Sequence, residues 1–190
     1  MTTNPGPNLV CYKSRQEIAE TVRGLASEIR RDYTGKPLLI VGILKGSFIF
    51  IADLIRELGM PVEVEFVILS SYGHGTKSPG KVKMEKGLQT DIKGKHVLVV
   101  EDIVDSGHSI NFIMDYLRGL RPLSYKLCVL ADKPSRREIP VMIDYTGFTV
   151  PNKFIVGYGI DWDEQYRALP DIYYIEEQPA AKPGAQALQE

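Results

Sequence analysis

Cysteine is scarce in this sequence of 190 residues, in which only Cys11 and Cys128 occur. Their separation does not match the spacing of metal ligands, which argues against a metal site built on cysteine. Cys128 lies in the apolar segment KLCVLA, where a small core residue is the expected role. So little cysteine is typical of a protein that folds in a reducing compartment.

An excess of charge of one sign is also missing, because the formal net charge is −1. No overall field therefore attracts nucleic acid or an anionic membrane surface. The first ten residues, MTTNPGPNLV, lack the basic and apolar regions of a secretory signal, and no apolar run is long enough to span a bilayer. We therefore expect a cytoplasmic protein whose partners include neither nucleic acid nor membranes.

The composition that is present, 44% hydrophobic and 25% charged residues, is that of an ordinary globular protein. The length is sufficient for one sizeable hydrophobic core. We expect a single domain over residues 1–177. The segment QPAAKPGAQALQE, residues 178–190, has no hydrophobic periodicity, which predicts a disordered tail.

The first elements are signalled by caps and apolar runs. Ser14 and Glu17 form an S-x-x-E capping box, which predicts the start of a helix that Gly35 ends. The continuous apolar run LLIVGIL, residues 38–44, predicts a strand buried on both faces. A second helix is expected between Gly46 and Gly59. The residues expected on its inner side are Phe48, Ile51, Ala52, Ile55 and Leu58.

Strands and helices continue to alternate in the rest of the chain. Strands are predicted at residues 62–69, 96–100 and 125–131, with a helix at residues 110–120. Shorter segments follow: a strand or turn is expected near Met142, and further short segments at residues 154–156 and 172–175. This alternation predicts an α/β fold with a mainly parallel sheet.

A polar segment interrupts the alternation at residues 70–95. Its sequence, SSYGHGTKSPGKVKMEKGLQTDIKGK, is rich in Gly, Lys and Ser. A connection this long is usually a functional lid or a disordered excursion, so we expect a flexible loop.

Three carboxylates mark the end of the strand and the turn in VLVVEDIVDSGHS, residues 97–109. The turn DSGHS at the start of a helix presents backbone N–H groups and the positive end of the helix dipole, which together bind anions. Glu101 and Asp102 precede the turn, at a strand end where acids can accept hydrogen bonds from sugar hydroxyls. A bare pair of acids is more often a pair of loop acids at a sheet edge, but the acids, the turn and the preceding apolar strand together are much more specific for a sugar phosphate.

VLVVEDIVDSGHS resembles the PRPP-binding motif of type I phosphoribosyltransferases. Further segments resemble the hypoxanthine-guanine (6-oxopurine) branch of that family, in the same order and spacing. They are ILKGSFIFIADL from Ile43, SSYG from Ser70, ADKPSRR from Ala131 and PNKFIVGYGIDWDEQYRALPDI from Pro151. The resemblance implies a mainly parallel sheet flanked by helices, a flexible active-site loop, and a small hood formed by residues 133–177 and the N-terminal residues.

The resemblance also implies the residues that hold PRPP. Glu101 and Asp102 would contact the ribose hydroxyls. The 5-phosphate would lie in a cradle formed by Asp105, Ser106, Gly107, His108 and Ser109. The pyrophosphate would meet Leu44, Lys45, Gly46, Ser71, Tyr72 and Arg167, and the peptide bond between Leu44 and Lys45 can be cis in this family. The 5-phosphate cradle uses only the backbone of His108, whose side chain we expect to face solvent.

At the purine, the resemblance implies that Asp105 acts as general base near N7 and that Lys133 donates to the 6-oxo group. Phe154 would stack on the base and Ile155 would contribute backbone contacts to its edge. Asp161, also counted with the purine site, would ligate Mg²⁺, the expected cofactor, with Glu101 and Asp102 as further candidate ligands. Trp162 stands where relatives often have Tyr, which bears on base preference.

Each of these residues also has an ordinary structural interpretation. Asp105 could cap the following helix, and Lys133 could be a surface charge. Phe154 could belong to the core, and Arg167 could form an ion pair with Asp163 or Glu164. These interpretations stay open on the sequence alone.

The resemblance implies a purine salvage enzyme that converts hypoxanthine or guanine and PRPP into IMP or GMP and pyrophosphate, as a homodimer or homotetramer. One alternative is a xanthine-preferring relative, and another is a PRPP-binding regulator of nucleic acid. The regulator is disfavoured by the net charge of −1. A fourth hypothesis sets the family aside and treats Glu101, Asp102 and Asp105 as an acidic Mg²⁺ cluster for phosphoryl transfer.

Overall fold

The computed structural model describes residues 7–72 and 81–176, with the backbone alone described at residues 71, 72 and 81. The elements in chain order are β1 (Asn8–Lys13), α1 (Arg15–Tyr33), β2 (Leu38–Leu44), α2 (Phe48–Leu58), β3 (Glu63–Tyr72), β4 (Lys81–Lys86), β5 (His96–Val104), α3 (His108–Leu120), β6 (Ser124–Asp132), β7 (Tyr145–Thr149), β8 (Ile155–Val156) and β9 (Ile172–Glu176). A short 3₁₀ helix covers Pro134–Arg136. None of the described helices is long and apolar enough to cross a bilayer.

The main sheet has six strands in the order β4-β3-β2-β5-β6-β7. All neighbours are parallel except β3 and β4, which pair antiparallel. The carboxyl ends of β2, β5 and β6 therefore meet at one edge, where open α/β sheets bind their ligands. The α/β architecture with a mainly parallel sheet is confirmed.

The two faces of the main sheet pack against different helices. In β2, Leu38 and Ile40 join the core formed with α1 and α2, whereas Leu39, Val41 and Ile43 join the core formed with α3. Both sets are buried because successive strand residues point to opposite faces. The expected core position of Cys128 is also confirmed, since it is fully buried beside α1 and α2.

The capping box at α1 forms as the sequence predicts. The Glu17 N–H donates to Ser14 Oγ at 3.3 Å, and the Ser14 N–H donates to Glu17 Oε2 at 3.0 Å. The hydrogen bond from the Ser14 backbone, together with Lys13, lowers the pKa of Glu17 to about 2. The backbone N–H groups of Ser14 and Glu17, which have no acceptor within the helix, thereby form hydrogen bonds.

The predicted inner side of α2 is wrong in part. Phe48 is 43% exposed, whereas Phe50 and Leu54, which were not assigned inward, are fully buried. Ile51 and Leu58 are buried as expected. The sequence FIFIADLI is apolar on almost every side, so hydrophobic periodicity does not define which face packs on the sheet.

The expectation of a loop without secondary structure over residues 70–95 is also wrong in part. β4 pairs with the end of β3. The Glu65 carboxylate then accepts hydrogen bonds from the backbone N–H groups of Gln89 at 2.6 Å and Thr90 at 3.1 Å. Ile92 is buried in the core that the main sheet forms with α3. The rest of the expected loop, residues 73–80, lies outside the described residues.

A second sheet of three antiparallel strands has the order β1-β9-β8. It joins the N-terminal residues to the region of the expected hood. Another part of the expected hood range, β7, instead forms the edge of the main sheet beside β6. The strand or turn expected near Met142 begins only at Tyr145, as β7, and the Met142 side chain is exposed. The expected tail, residues 178–190, lies outside the described residues.

Candidate active site

Glu101 and Asp102 lie inside β5, which continues to Val104. Because neighbouring strand residues face opposite sides of a sheet, Asp102 points toward Gly46 and Glu101 toward the turn before α3. Asp102 is 7% exposed, and its burial raises its pKa to about 6. Burial and the neighbouring Asp102 carboxylate raise the pKa of Glu101 well above its usual range. Within the described residues, Glu101 Oε2 is buried without a hydrogen-bond partner.

The turn from β5 into α3 forms an anion cradle. No side chain caps α3, whose N-cap residue is Gly107 with φ +94°. A Cβ at Gly107 would lie 2.7 Å from the carbonyl oxygen of Ile139, so only glycine fits. The turn encloses a cavity of about 100 Å³ lined by Glu101, Ile103, Val104, Asp105, Ser106, Gly107, Ser109 and Ile110. The free N–H groups and dipole of α3 make this cavity suitable for a phosphate.

The segment after β6 holds the cradle in place. The Glu138 and Ile139 N–H groups donate to the Ser106 carbonyl at 3.0 and 3.1 Å. Arg137 donates to the carbonyl of Asp105 at 3.0 Å and forms an ion pair with Asp132. Sequence reasoning missed Arg137, because its contacts with the turn are to backbone carbonyls that lie far away along the chain.

The cradle histidine has a partner that the sequence did not indicate. His108 Nε2 lies 2.8 Å from Glu138 Oε2. Its side chain is partly buried, so the expectation of a solvent-facing histidine is wrong in part.

Asp105 in the cradle lies near the buried Lys133. Asp105 does not cap α3, and its Oδ1 lies 3.3 Å from Nε of Arg136. Lys133 is only 5% exposed, so its interpretation as a surface charge is wrong. Its Nζ donates to the carbonyl of Lys153 at 2.8 Å, and burial lowers its pKa. Asp105 is close enough for its charge to oppose that shift.

The turn after β2 lies against Asp102. The peptide bond between Leu44 and Lys45 is cis. A Cβ at Gly46 would overlap the Asp102 carboxylate, and a Cβ at Gly159 would overlap the carbonyl of Gly46. The backbone at Gly46 therefore closely approaches both the Asp102 carboxylate and the backbone at Gly159, which only glycine permits.

Arg167 lies beside this turn and binds acids. Its Nη2 is 2.8 Å from Asp161 Oδ1 and 3.2 Å from Glu164 Oε2, and its Nη1 donates to the Gly159 carbonyl at 2.9 Å. The ion pair considered for Arg167 is therefore present, with Asp161 and Glu164 rather than with Asp163. Asp161 raises the pKa of Asp102 and Arg167 lowers it, so these charges belong to one site.

Phe154 is not a core residue, because 54% of its surface is exposed. Trp162 lies edge-on to it with ring centroids 6.4 Å apart, and Tyr166 stacks on Trp162 at 6.3 Å. Ile155 is buried in β8 immediately after Phe154. The carbonyl of Lys153, the residue before Phe154, accepts the hydrogen bond from the buried Lys133.

Two further expectations concern the side chains that meet pyrophosphate and the metal site. The backbone of Ser71 and Tyr72 ends β3, but their side chains are not described, so their contact with pyrophosphate stays a prediction. Within the described ranges, no three His, Cys, Asp or Glu side chains cluster closely enough to hold a metal ion. The hypothesis of a preformed Mg²⁺ cluster of Glu101, Asp102 and Asp105 is therefore wrong.

The chain belongs to the phosphoribosyltransferase family, because the model of the phosphoribosyl transferase domain matches residues 12–163. Among its curated relatives, the hypoxanthine-guanine phosphoribosyltransferase of Aquifex aeolicus is 46% identical over 173 residues, which are 90% of this chain and 97% of that protein. The hypoxanthine phosphoribosyltransferase of Salmonella typhimurium is 46% identical over 158 residues, covering 82% and 89%.

Solved structures agree with the sequence relatives. A crystal structure of a hypoxanthine-guanine phosphoribosyltransferase from Bacillus anthracis superposes with a TM-score of 0.85 at 43% identity, covering 90% of this chain and all of that one. The resemblance inferred from the sequence motifs and the type I phosphoribosyltransferase fold are thereby confirmed.

Proposed function

We propose that this protein is a purine salvage enzyme that transfers the 5-phosphoribosyl group of PRPP to N9 of hypoxanthine or guanine. The products are IMP or GMP and pyrophosphate. The observation that carries this proposal is the juxtaposition at one sheet edge of an uncapped helix N-terminus, two buried strand-end carboxylates and a buried lysine. The names of its relatives support the same reaction.

In this proposal the cradle residues bind the 5-phosphate through their backbone N–H groups, and the acids of β5 accept hydrogen bonds from the ribose. The bond between N9 and C1 forms as the bond from C1 to pyrophosphate breaks. Asp105 takes the proton that the purine loses, and its carboxylate lies at the correct edge of the sheet for this role.

Lys133 selects the base in this proposal. An ammonium group has only donors, so it binds the 6-oxo group of hypoxanthine or guanine and rejects the 6-amino group of adenine. Its hydrogen bond to the Lys153 carbonyl fixes the Nζ position next to the exposed face of Phe154. Phe154 stacks on the purine, with Trp162 at its edge.

Mg²⁺ is the proposed cofactor, and the acids present fit it. Asp161, Asp102 and Glu101 are the candidate carboxylates, and within the described residues the buried Oε2 of Glu101 has no hydrogen-bond partner. Mg²⁺ prefers one or two carboxylates with substrate oxygens, which agrees with the lack of a preformed three-residue cluster among the described residues. When bound, it would neutralise the charge of pyrophosphate.

A homodimer or homotetramer in the cytoplasm completes the proposal. The exposed apolar side chains of Phe48, Val64 and Ile68 on α2 and β3 support self-association. Both cysteines are free, which suits a reducing compartment. The relatives favour neither a xanthine-preferring enzyme nor a PRPP-binding regulator.

Product analysis tests the reaction itself. The protein is incubated with PRPP, hypoxanthine and Mg²⁺, and the products are separated by anion-exchange chromatography. We expect one IMP and one pyrophosphate for each hypoxanthine consumed, and no product when EDTA is added. Hydrolysis of PRPP without IMP, or no reaction at all, would overturn the proposal.

A further inference from the structure

Glu164 joins the two cations that are assigned to pyrophosphate. Nζ of Lys45 lies 3.0 Å from both carboxylate oxygens of Glu164. The Glu164 Oε2 atom also accepts from Nη2 of Arg167 at 3.2 Å. A carboxylate therefore bridges a lysine from the turn after β2 and an arginine from the segment before β9.

The backbone around Glu164 adopts an unusual conformation that specific hydrogen bonds hold in place. Glu164 has φ +60° and Asp163 has φ +51°, conformations that are uncommon for residues other than glycine. The Glu164 N–H donates to Asp161 Oδ2 at 2.9 Å, and Trp162 and Gln165 exchange backbone hydrogen bonds at 3.0 and 3.2 Å. Left-handed residues held by specific bonds often mark functional sites.

We propose that Glu164 occupies the pyrophosphate position between Lys45 and Arg167 in the substrate-free enzyme and sets the affinity for pyrophosphate and PRPP by competing for these cations. This inference rests on the proposed function, which assigns Lys45 and Arg167 to pyrophosphate. Glu164 is thus an affinity-determining residue that gives way to the anion, not one that binds it.

The exposure of the three side chains explains why Glu164 can be displaced. Lys45 and Glu164 are both 65% exposed, and an exposed ion pair changes an equilibrium constant by about fivefold at most. Arg167 is only 20% exposed and keeps its bonds to Asp161 and the Gly159 carbonyl when Glu164 leaves. Pyrophosphate carries more negative charge than one carboxylate, so it displaces Glu164 from Lys45 and Arg167 while both cations stay in place.

Isosteric removal of the charge tests this inference. Glu164→Gln keeps the side-chain volume, and Asp163→Asn removes the neighbouring charge, for which the described residues show no ion pair. We expect Glu164→Gln to bind pyrophosphate, titrated calorimetrically with excess Mg²⁺, about two- to fivefold more tightly than wild type. Asp163→Asn should bind like wild type.

Steady-state kinetics supply a second readout that a purely structural role would not produce. In Glu164→Gln the KM for PRPP should fall by a similar factor while the KM for hypoxanthine is unchanged. Melting temperatures check that both variants fold, and Glu164→Ala, for which the same tighter binding is expected, replaces Glu164→Gln if that variant does not.

The outcomes separate this inference from the proposed function. Equal affinities of Glu164→Gln and Asp163→Asn for pyrophosphate, or weaker binding by Glu164→Gln, would overturn the inference and leave the proposed reaction intact. Failure of the wild type itself to bind pyrophosphate would overturn the assignment of Lys45 and Arg167, and the inference with it.

Discussion

At the scale of single residues, Glu101 and Asp102 lose solvation by burial within β5, and the Asp102 carboxylate raises the pKa of Glu101 further. Neither has a described lysine or arginine within ion-pair distance; Arg167 acts on Asp102 only through its field. Their negative charges therefore destabilise the folded protein and serve the ligand. Active-site groups commonly lower the stability of the folded protein in this way.

Asp102→Asn is expected to stabilise the protein in a pH-dependent manner. The pKa of Asp102 rises from 3.8 to about 6 on folding, so between these pH values the unfolded state loses a proton that the folded state keeps. Wild-type stability must then fall as the pH rises through this window, by up to about 3 kcal/mol. The advantage of Asp102→Asn should be negligible below pH 4 and complete above pH 6.

Thermal unfolding of both proteins across this pH range measures the effect. Asp163→Asn, which changes an exposed carboxylate, is the control and should show no comparable pH-dependent gain. A melting-temperature difference for Asp102→Asn that is constant with pH would contradict the prediction.

Asp105→Asn tests the general base. The amide cannot accept the proton from the purine, so kcat should fall by about 10²–10⁴-fold. Asp115→Asn on the exposed side of α3 removes the same charge away from the site and should leave kcat unchanged. Equal kcat values for the two variants in steady-state assays would exclude Asp105 from proton transfer.

At the scale of elements, the turn between β5 and α3 depends on one glycine. Gly107→Ala introduces a Cβ at φ +94° and 2.7 Å from the Ile139 carbonyl, so the cradle must shift. We expect the KM for PRPP to rise at least about tenfold, because moving the turn misaligns the N–H groups that bind the phosphate. The protein should also be less stable.

Gly119→Ala near the end of α3 is the matched control. A Cβ there meets nothing within 4 Å, so the variant should be more stable by up to about 1 kcal/mol and have an unchanged KM. Chemical denaturation and PRPP saturation curves measure both quantities. An unchanged KM for Gly107→Ala would show that the turn does not hold the phosphate.

Arg137 links the segment after β6 to the cradle. Its side chain is 16% exposed, and its loss removes the partner that Arg137 supplies to the Asp132 carboxylate and to the Asp105 carbonyl. Arg137→Met should therefore cost about 3 kcal/mol of unfolding free energy. Arg118→Met removes an exposed pair with Asp115 and should change stability little. Similar losses for both variants in urea unfolding would contradict this role.

The elements that sequence patterns predicted are those specified locally. The capping box at Ser14 and the apolar run of β2 depend on neighbouring residues, and both formed as expected. β4 and β1 were not predicted, because a polar strand such as KVKMEK is stabilised by pairing with a distant strand. The face of α2 was missed because its apolar residues surround the helix.

At the scale of the whole molecule, the site exists only because distant segments meet at one edge of the sheet. Family motifs located the residues of this edge along the chain, including Lys133 and Phe154. Their environment was not predictable, since burial of Lys133 depends on Lys153 and exposure of Phe154 depends on the second sheet. The bridging role of Glu164 likewise appears only once Lys45 and Arg167 are brought together.

The most direct test of the central claim is kcat/KM for hypoxanthine, guanine, xanthine and adenine, each measured with PRPP and Mg²⁺. A buried lysine donor at the purine predicts efficient turnover of hypoxanthine and guanine and little or none of adenine. Preference for adenine, or turnover of none of the four bases, would contradict the account.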